Sequence, residues 1–213
     1  SYHQLGMVAQ HRGDYEQALD WYQKALPIFE ELGNRAGMAS SYHQLGRVAQ
    51  DHGDYEQALD WYQKALRIKE ELGNRAGMAS SYHQLGMVAQ DRGDYEQALD
   101  WYQKALRIDE ELGNRAGMAS TISQLGVLAT ERGNPEEAVP LNLRSLAIRL
   151  QIGSPESRID LHWLNRQREL LGEERFGEIL REYLSEEDTV MVLEMMARSS
   201  QKGEDQTDSP TQT

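Results

Sequence analysis

Residues 1–40, 41–80 and 81–120 are almost the same forty residues written three times, and this period constrains the fold more than any other property of the chain. The first two copies differ at five positions: Met7/Arg47, His11/Asp51, Arg12/His52, Pro27/Arg67 and Phe29/Lys69. The second and third differ at three: Arg47/Met87, His52/Arg92 and Lys69/Asp109. A fourth, diverged copy occupies 121–153, and a fifth is legible only as a skeleton within 154–199.

Each copy reads as two helices. In the second copy Asp54 is placed to cap the amide of Gln57. From there Tyr55, Ala58, Leu59, Tyr62, Ala65 and Leu66 share one helical face, while Trp61, Ala65, Ile68 and Leu72 form a second flank. Gly73 supplies a helix stop and Asn74 a cap for the next start. The partner helix runs from about Arg75 to Arg92, with Met78, Tyr82, Leu85 and Ala89 as its buried stripe. A helix apolar on two flanks lies between neighbours, and one pair of helices cannot cover both flanks by itself. The copies therefore have to stack.

The spacing of Tyr42, Leu45, Gly46, Ala49, Gly53, Tyr55, Ala58, Tyr62 and Ala65 resembles that of the tetratricopeptide family, with Tyr42 where Trp is usual and Glu70 in place of the closing Pro. The longer unit, joined by GNRAGMASSYHQLG over residues 73–86, is similar to the long-repeat variety of kinesin light chains and Pins/LGN-type adaptors. The resemblance implies an all-α, right-handed superhelical solenoid of antiparallel helix pairs, with a capping helix at the C-terminal end. Residues 154–199 fit a degenerate fifth repeat and that cap: Leu164 and Gly172 keep the repeat's spacing, and Phe176, Ile179, Leu180 and Tyr183 give an apolar face. The last helix, from about Glu186 to Arg198, carries Val190, Leu193 and Met196 on one side. Residues 200–213 lack apolar content and read as a disordered tail.

The net charge is −13, which disfavours a nucleic-acid backbone as ligand and an anionic membrane surface as docking site. The chain has no cysteine and hence no thiol chemistry, a composition that fits a reducing compartment. No apolar run approaches the ~18 residues of a spanning helix. The first residue is Ser1, so the sequence reads as a fragment whose natural start lies upstream, and a cytoplasmic setting is the expectation.

The most tempting constellation for chemistry is the ladder His3, His43 and His83. Equivalent helices of a stacked array lie about 10 Å apart, whereas ligands of one zinc lie ~2 Å from it, so successive rungs cannot share an ion. Carboxylate pairs such as Glu70–Glu71 and Glu110–Glu111 recur where helices meet solvent. Trp21, Trp61 and Trp101 sit on the flank between repeats and read as core. No phosphate-binding glycine loop, Gly-x-Ser-x-Gly elbow or His-Glu-x-x-His is present. The expectation is a protein that is not an enzyme, with no catalytic residues, metal or cofactor.

What packing leaves over is the polar stripe of each first helix, which in the family resembled lines a concave, partner-binding face. Here it comprises His3, Gln4 and Met7; Ser40, His43, Gln44, Arg47 and Gln50; Ser80, His83, Gln84 and Met87; and Gln124. The resemblance implies a scaffold that holds a peptide or helical segment of another protein there. Arg47, the one cation among otherwise neutral residues at its position, would select an acidic group. A partner held by neutral imidazoles, with reference pKa near ~6.5, would bind differently at about pH 7.5 and pH 5.5. Arrays of this type also resemble sensor regions of large signalling ATPases or proteases, which is the alternative reading. Finally, Tyr2, Leu5 and Ala9 of the first helix have no preceding helix to cover them, and together with Val190, Leu193 and Met196 they predict weak head-to-tail self-association.

Overall fold

The computed structural model describes residues 1–204, with side chains through residue 199, and every regular element in it is α-helical. Two compact units are formed, Ser1–Gly113 and a second beginning at Asn114. The first contains α1 (Tyr2–His11), α2 (Tyr15–Glu31), α3 (Arg35–Asp51), α4 (Tyr55–Glu71), α5 (Arg75–Asp91) and α6 (Tyr95–Leu112). The second contains α7 (Arg115–Glu131), α8 (Pro135–Gln151), α9 (Ser157–Leu171), α10 (Glu173–Tyr183) and α11 (Glu186–Glu204). Consecutive helices pack as hairpins, and within each unit a hairpin packs on the next. The forty-residue blocks of the sequence cut across this unit: Ser40 and Ser41 lie inside α3, and the hairpin itself starts at Arg35.

Local signals fix the helix ends. The side chains of Asn34, Asp54 and Asn74 accept the amides of Gly37, Gln57 and Gly77 at 2.9, 3.1 and 2.9 Å. Each cap satisfies one of the orphan donors of a first turn. At the other end Gly73 adopts φ +62°, which lets the Asn74 amide reach back to the Lys69 carbonyl at 2.8 Å and close α4.

The core of the first unit is built around one aromatic ring per repeat. Tyr22, Tyr62 and Tyr102 are fully buried, each lying flat under Gly6, Gly46 or Gly86 of its own first helix. A Cβ on those glycines would fall 2.6–2.8 Å from the ring. The three hydroxyls donate to Gln10, Gln50 and Gln90 at 3.0, 3.2 and 2.8 Å, so a ring worth ~2 kcal/mol of burial enters the core without an orphaned polar end. Leu45 and Val48 close over Tyr22, and Leu85 and Val88 over Tyr62. In α1 the equivalent Leu5 and Val8 are about half exposed, as is Tyr2. Ala9 departs from expectation: it is buried beside Ala18 and Tyr22 of its own repeat rather than left open.

The second unit keeps the helix pairing but changes the interior. Asn142 takes the tyrosine position, tucked against Gly126, and Gln167 of α9 donates to Asn142 Oδ1 at 2.6 Å and to Thr130 Oγ1 at 3.0 Å. Arg149 pairs with Asp160 at 2.8 Å, both buried, and Ser123 donates to the same carboxylate at 2.8 Å. Beyond this layer Leu146, Leu164, Phe176, Ile179 and Leu180 form the apolar core that α11 completes.

The last helix is rotated relative to its sequence reading. Val192 and Met196, four residues apart, are buried against α9 and α10 with Leu193 and Met195 beside them, while Val190 is 57% exposed. The face expected from Val190, Leu193 and Met196 follows a three-residue step; packing on two helices at once selects the Val192–Met196 step instead. Met196 is thus consumed by its own chain. The helix continues to Glu204, past the boundary expected at 200, and the tail assigned beyond it lies outside the described residues.

Candidate functional site

The first helices α1, α3 and α5 carry the residues singled out from the sequence, and the structure divides them into engaged and available side chains. Gln50 is engaged twice, accepting from Tyr62 and donating to Asp91 at 2.9 Å, and Gln84 Oε1 lies 3.5 Å from the Tyr62 hydroxyl. Gln4 closes the cap of α1 with Ser1. Gln44 has no hydrogen-bond partner among the described residues and lines a polar cavity of about 270 Å³ with Met7, Gln10, His11, Arg47 and Asp51. Arg47 is exposed and has neither an ion pair nor a hydrogen bond among the described residues. Met7 is exposed, Met87 and Gln124 are half-buried, and Ser40 and Ser80 are exposed.

The histidines are less available than their polar stripe suggests. His3, His43 and His83 pack on the rings of Tyr22, Tyr62 and Tyr102 at 5.3, 5.4 and 5.6 Å between ring centres. His3 Nδ1 lies 3.0 Å from Ser41 Oγ and its Nε2 3.4 Å from Ser40 Oγ, both on the following first helix. Burial lowers the pKa of all three. His43 is brought to about 3 by desolvation, then by the charges of Lys69 and Arg47; His83 is brought to about 4 by desolvation alone. Both are neutral from pH 5.5 to 7.5, so the expected change of affinity across that window does not come from this pair.

Lys69 is the residue that sequence reading missed. It is buried in α4, donates from Nζ to Ser81 Oγ at 2.8 Å, and has its pKa lowered to about 8 by desolvation. Its signal was available: position 29/69/109 is one of the few at which the copies differ, and it carries Phe, Lys and Asp in turn.

On the outer side of each repeat Tyr2, Tyr42 and Tyr82 stack on Trp21, Trp61 and Trp101 at 5.4–5.5 Å. Trp61 contributes to the cores on both sides of it, as expected of a seam residue. Among the described residues no group of three or more His, Asp or Glu is arranged to hold a metal ion, and no helix is long and apolar enough to cross a membrane.

Stacked helix hairpins that keep their apolar flanks for one another and turn a polar stripe of the first helices outward define an α-helical repeat array. The chain belongs to the tetratricopeptide repeat family, whose pattern matches residues 1–71 and 77–151. Proteins of this family are in general interaction scaffolds, typically without catalysis. No curated protein matches the chain. Among solved structures it is similar to BtubC (BKLC) from P. vanneervenii, with 21% identity, TM-score 0.72, 98% of this chain covered and 82% of the other. It is similar to the apo form of RapI at 16% identity and TM-score 0.76, covering 96% and 70%. The nearly identical TPR-like repeats of a kinesin light chain from Podosopora anserina match at 18% identity and TM-score 0.68, covering 95% and 94%. At these identities the likeness shows the fold.

Proposed function

We propose that the array binds a segment of a partner protein along the polar stripe of its first helices, and that Arg47 selects an acidic side chain of that segment. The observation that carries this reading is the free guanidinium of Arg47 beside the unpartnered amide of Gln44, in a polar cavity of a chain with net charge −13. A guanidinium in a partly enclosed polar site gains 1.5–3 kcal/mol, by order of magnitude, from a carboxylate partner. Gln44 supplies a second donor or acceptor for the segment's backbone. His3, Gln4, Met7, Ser40, His43, Ser80, Met87 and Gln124 complete the proposed surface; Gln50, His83 and Gln84 serve mainly to hold it in shape.

Panning a twelve-residue peptide library on the full chain tests this. Enriched peptides should share an acidic position, and Arg47→Gln with Gln44→Ala should weaken them about tenfold or more while circular dichroism stays unchanged. Peptides that bind this double variant as tightly as the parent would remove the reading.

A further inference from the structure

Two of the departures that set the second repeat apart from both its neighbours, Arg47 and Lys69, are cations that act on the same histidine, His43. Lys69 is only 8% exposed, donates to one hydroxyl, Ser81 Oγ, and has no carboxylate partner among the described residues. The first repeat has Phe29 at this position, and there His3 Nδ1 takes the serine of the next first helix, Ser41. In the second repeat Lys69 has claimed the equivalent serine. His43 Nδ1 is consequently buried with no hydrogen-bond partner among the described residues, and the hydroxyl of the neighbouring, exposed Ser80 has none there either.

The fourth repeat shows what completes a cation in this register. Arg149 stands where Lys69 stands, and Ser123 where His43 stands. There the cation meets the buried carboxylate of Asp160 at 2.8 Å, which also accepts from Ser123. The second repeat has the cation and the adjoining polar group but supplies no carboxylate. The acidic residues nearby act elsewhere: Asp51 and Asp91 bear on the Tyr62 hydroxyl, and Gln50 binds Asp91.

We propose that Lys69 and His43, reached past Ser80, form a carboxylate-binding subsite between α3 and α5, filled by an aspartate or glutamate side chain of the bound partner segment. This rests on the groove-binding reading and adds a second acidic anchor to the one at Arg47. The carboxylate takes a spare ammonium proton donor of Lys69, and His43, neutral, donates to it through the ring nitrogen that carries the proton. Desolvation, which now opposes the charge on Lys69, is offset by the incoming counter-charge.

The test uses the full chain with lysines carrying ¹³C at Cε, the Lys69 signal being assigned by its loss in Lys69→Met. The probes are acetyl-Ala-Ala-Glu-Ala-Ala-amide, its Gln analogue, and sodium acetate, titrated to millimolar concentration. The Glu peptide should raise the apparent pKa of Lys69 by about one unit or more, and the Gln peptide should not. Lys69→Met should weaken the Glu peptide about tenfold and Lys69→Arg should restore it; Phe29 in the first repeat shows that the register accepts an uncharged side chain, so folding is retained. If Arg47→Gln weakens the Glu peptide while Lys69 neither shifts nor matters, the subsite is overturned and the groove reading stands. If neither variant has an effect and the Gln peptide binds equally, both fall. Should acetate shift Lys69 as strongly as the Glu peptide does, the site takes a free carboxylate and the assigned occupant is wrong.

Discussion

Tyr62 and Asn142 occupy the same position in the second helices of repeats two and four, and the interiors around them follow different rules. Around Tyr62 one ring fills the space under a glycine and its single hydroxyl is answered by Gln50. Around Asn142 the space is shared by three polar side chains, Asn142, Gln167 and Thr130, and a few residues away Arg149, Asp160 and Ser123 form a buried charged cluster. The first arrangement is interchangeable, because Tyr22 and Tyr102 reproduce it in their own repeats. The second is not: its groups are matched to one another, Gln167 to Asn142 and Thr130, Asp160 to Arg149 and Ser123. Near-identical repeats present one another with the same contacts, whereas α7, α8 and α9 meet through side chains particular to them. A buried ion pair is weak as a source of stability and better suited to fixing which elements may meet.

Removing one partner of that pair is the strongest way to break the comparison. Asp160→Ala leaves Arg149 buried without a counter-charge and should cost about 3–5 kcal/mol, read as a lower urea midpoint by circular dichroism. Arg149→Leu combined with Asp160→Leu should recover most of the loss. Lys69→Met, at the same register of the second repeat, should be neutral or stabilising, because the parent already carries an uncompensated charge. Its pH dependence has a defined sign. The Lys69 pKa is about 8 when folded against 10.5 unfolded, so the destabilisation, on the order of 3 kcal/mol, is fully present below pH 8 and fades as pH rises to about 10.5. Equal losses for Asp160→Ala and Lys69→Met would show that the two regions do not differ as described.

Acid sharpens the contrast from the other side. His43 and His83 have folded pKa values of about 3 and about 4, below the unfolded 6.5. Below pH 6.5 the unfolded chain therefore binds protons that the folded chain does not, and stability falls as pH drops toward those folded values. Between pH 7 and pH 5 each should cost about 2 kcal/mol, and His3 adds in the same direction. In the fourth repeat Ser123 replaces the histidine, so acid in this range should loosen the first unit before the second. Hydrogen exchange at pH 5 resolves the order; earlier opening of α7–α9 than of α3–α5 would contradict it.

The sequence made the first unit legible because its copies repeat each signal in register. The helix starts at Asp54 and Asn74, the stop at Gly73, the buried Leu85 and Ala89 and the seam residue Trp61 were readable from spacing. The buried charges were not. Lys69, Asp109 and Arg149 sit on a core-facing register of the second helix, yet a pattern read by hydropathy treats charge there as solvent-facing, and the partners that accompany burial, Asp160 for Arg149 and the Ser81 hydroxyl for Lys69, lie on other helices. Helical angle puts the histidines on the polar stripe, but their distance from water depends on the Tyr ring each packs on and, for His3, on the serine of the next helix. Neither is visible within one helix. In α11 two apolar steps, Val190–Leu193–Met196 and Val192–Met196, were both present, and only the two-helix floor chose between them.

Polar satisfaction in the two interiors should differ in cost as it differs in design. Tyr62→Phe removes a hydroxyl whose acceptor, Gln50, keeps its other partner Asp91, so the loss should be about 1 kcal/mol. Asn142→Ala leaves Gln167 without its 2.6 Å acceptor inside a closed core, and opens space besides; about 2–3 kcal/mol is expected. Paired thermal melts of the two variants check the ratio, and equal losses would argue that the amide cluster is no more demanding than the ring.

The smallest effect lies on the outer surface, where the two units differ again. In the second repeat Lys64 Nζ sits 4.2 Å above the Trp61 ring and 2.6 Å from Asp60, with Tyr42 stacked beneath the indole. Repeats one and three repeat the stack at Lys24 and Lys104, but in the fourth the equivalent residues are Ile122, Pro140, Leu141 and Arg144, and neither the Tyr–Trp pair nor the lysine is there. Both charges are about half exposed, so the ion pair is screened and worth little, roughly 0.3–0.5 kcal/mol at i, i+4. The cation over the indole is worth about 0.5–1 kcal/mol at an exposed site. Lys64→Ala should therefore cost about 1 kcal/mol and Asp60→Ala less than half of that. High salt separates the two contributions: at 1 M NaCl, where screening acts within ~3 Å, the Asp60→Ala loss should vanish while most of the Lys64→Ala loss remains. If salt abolishes both equally, the lysine is held only by the carboxylate, and the aromatic stack contributes packing to the first unit but no site for charge.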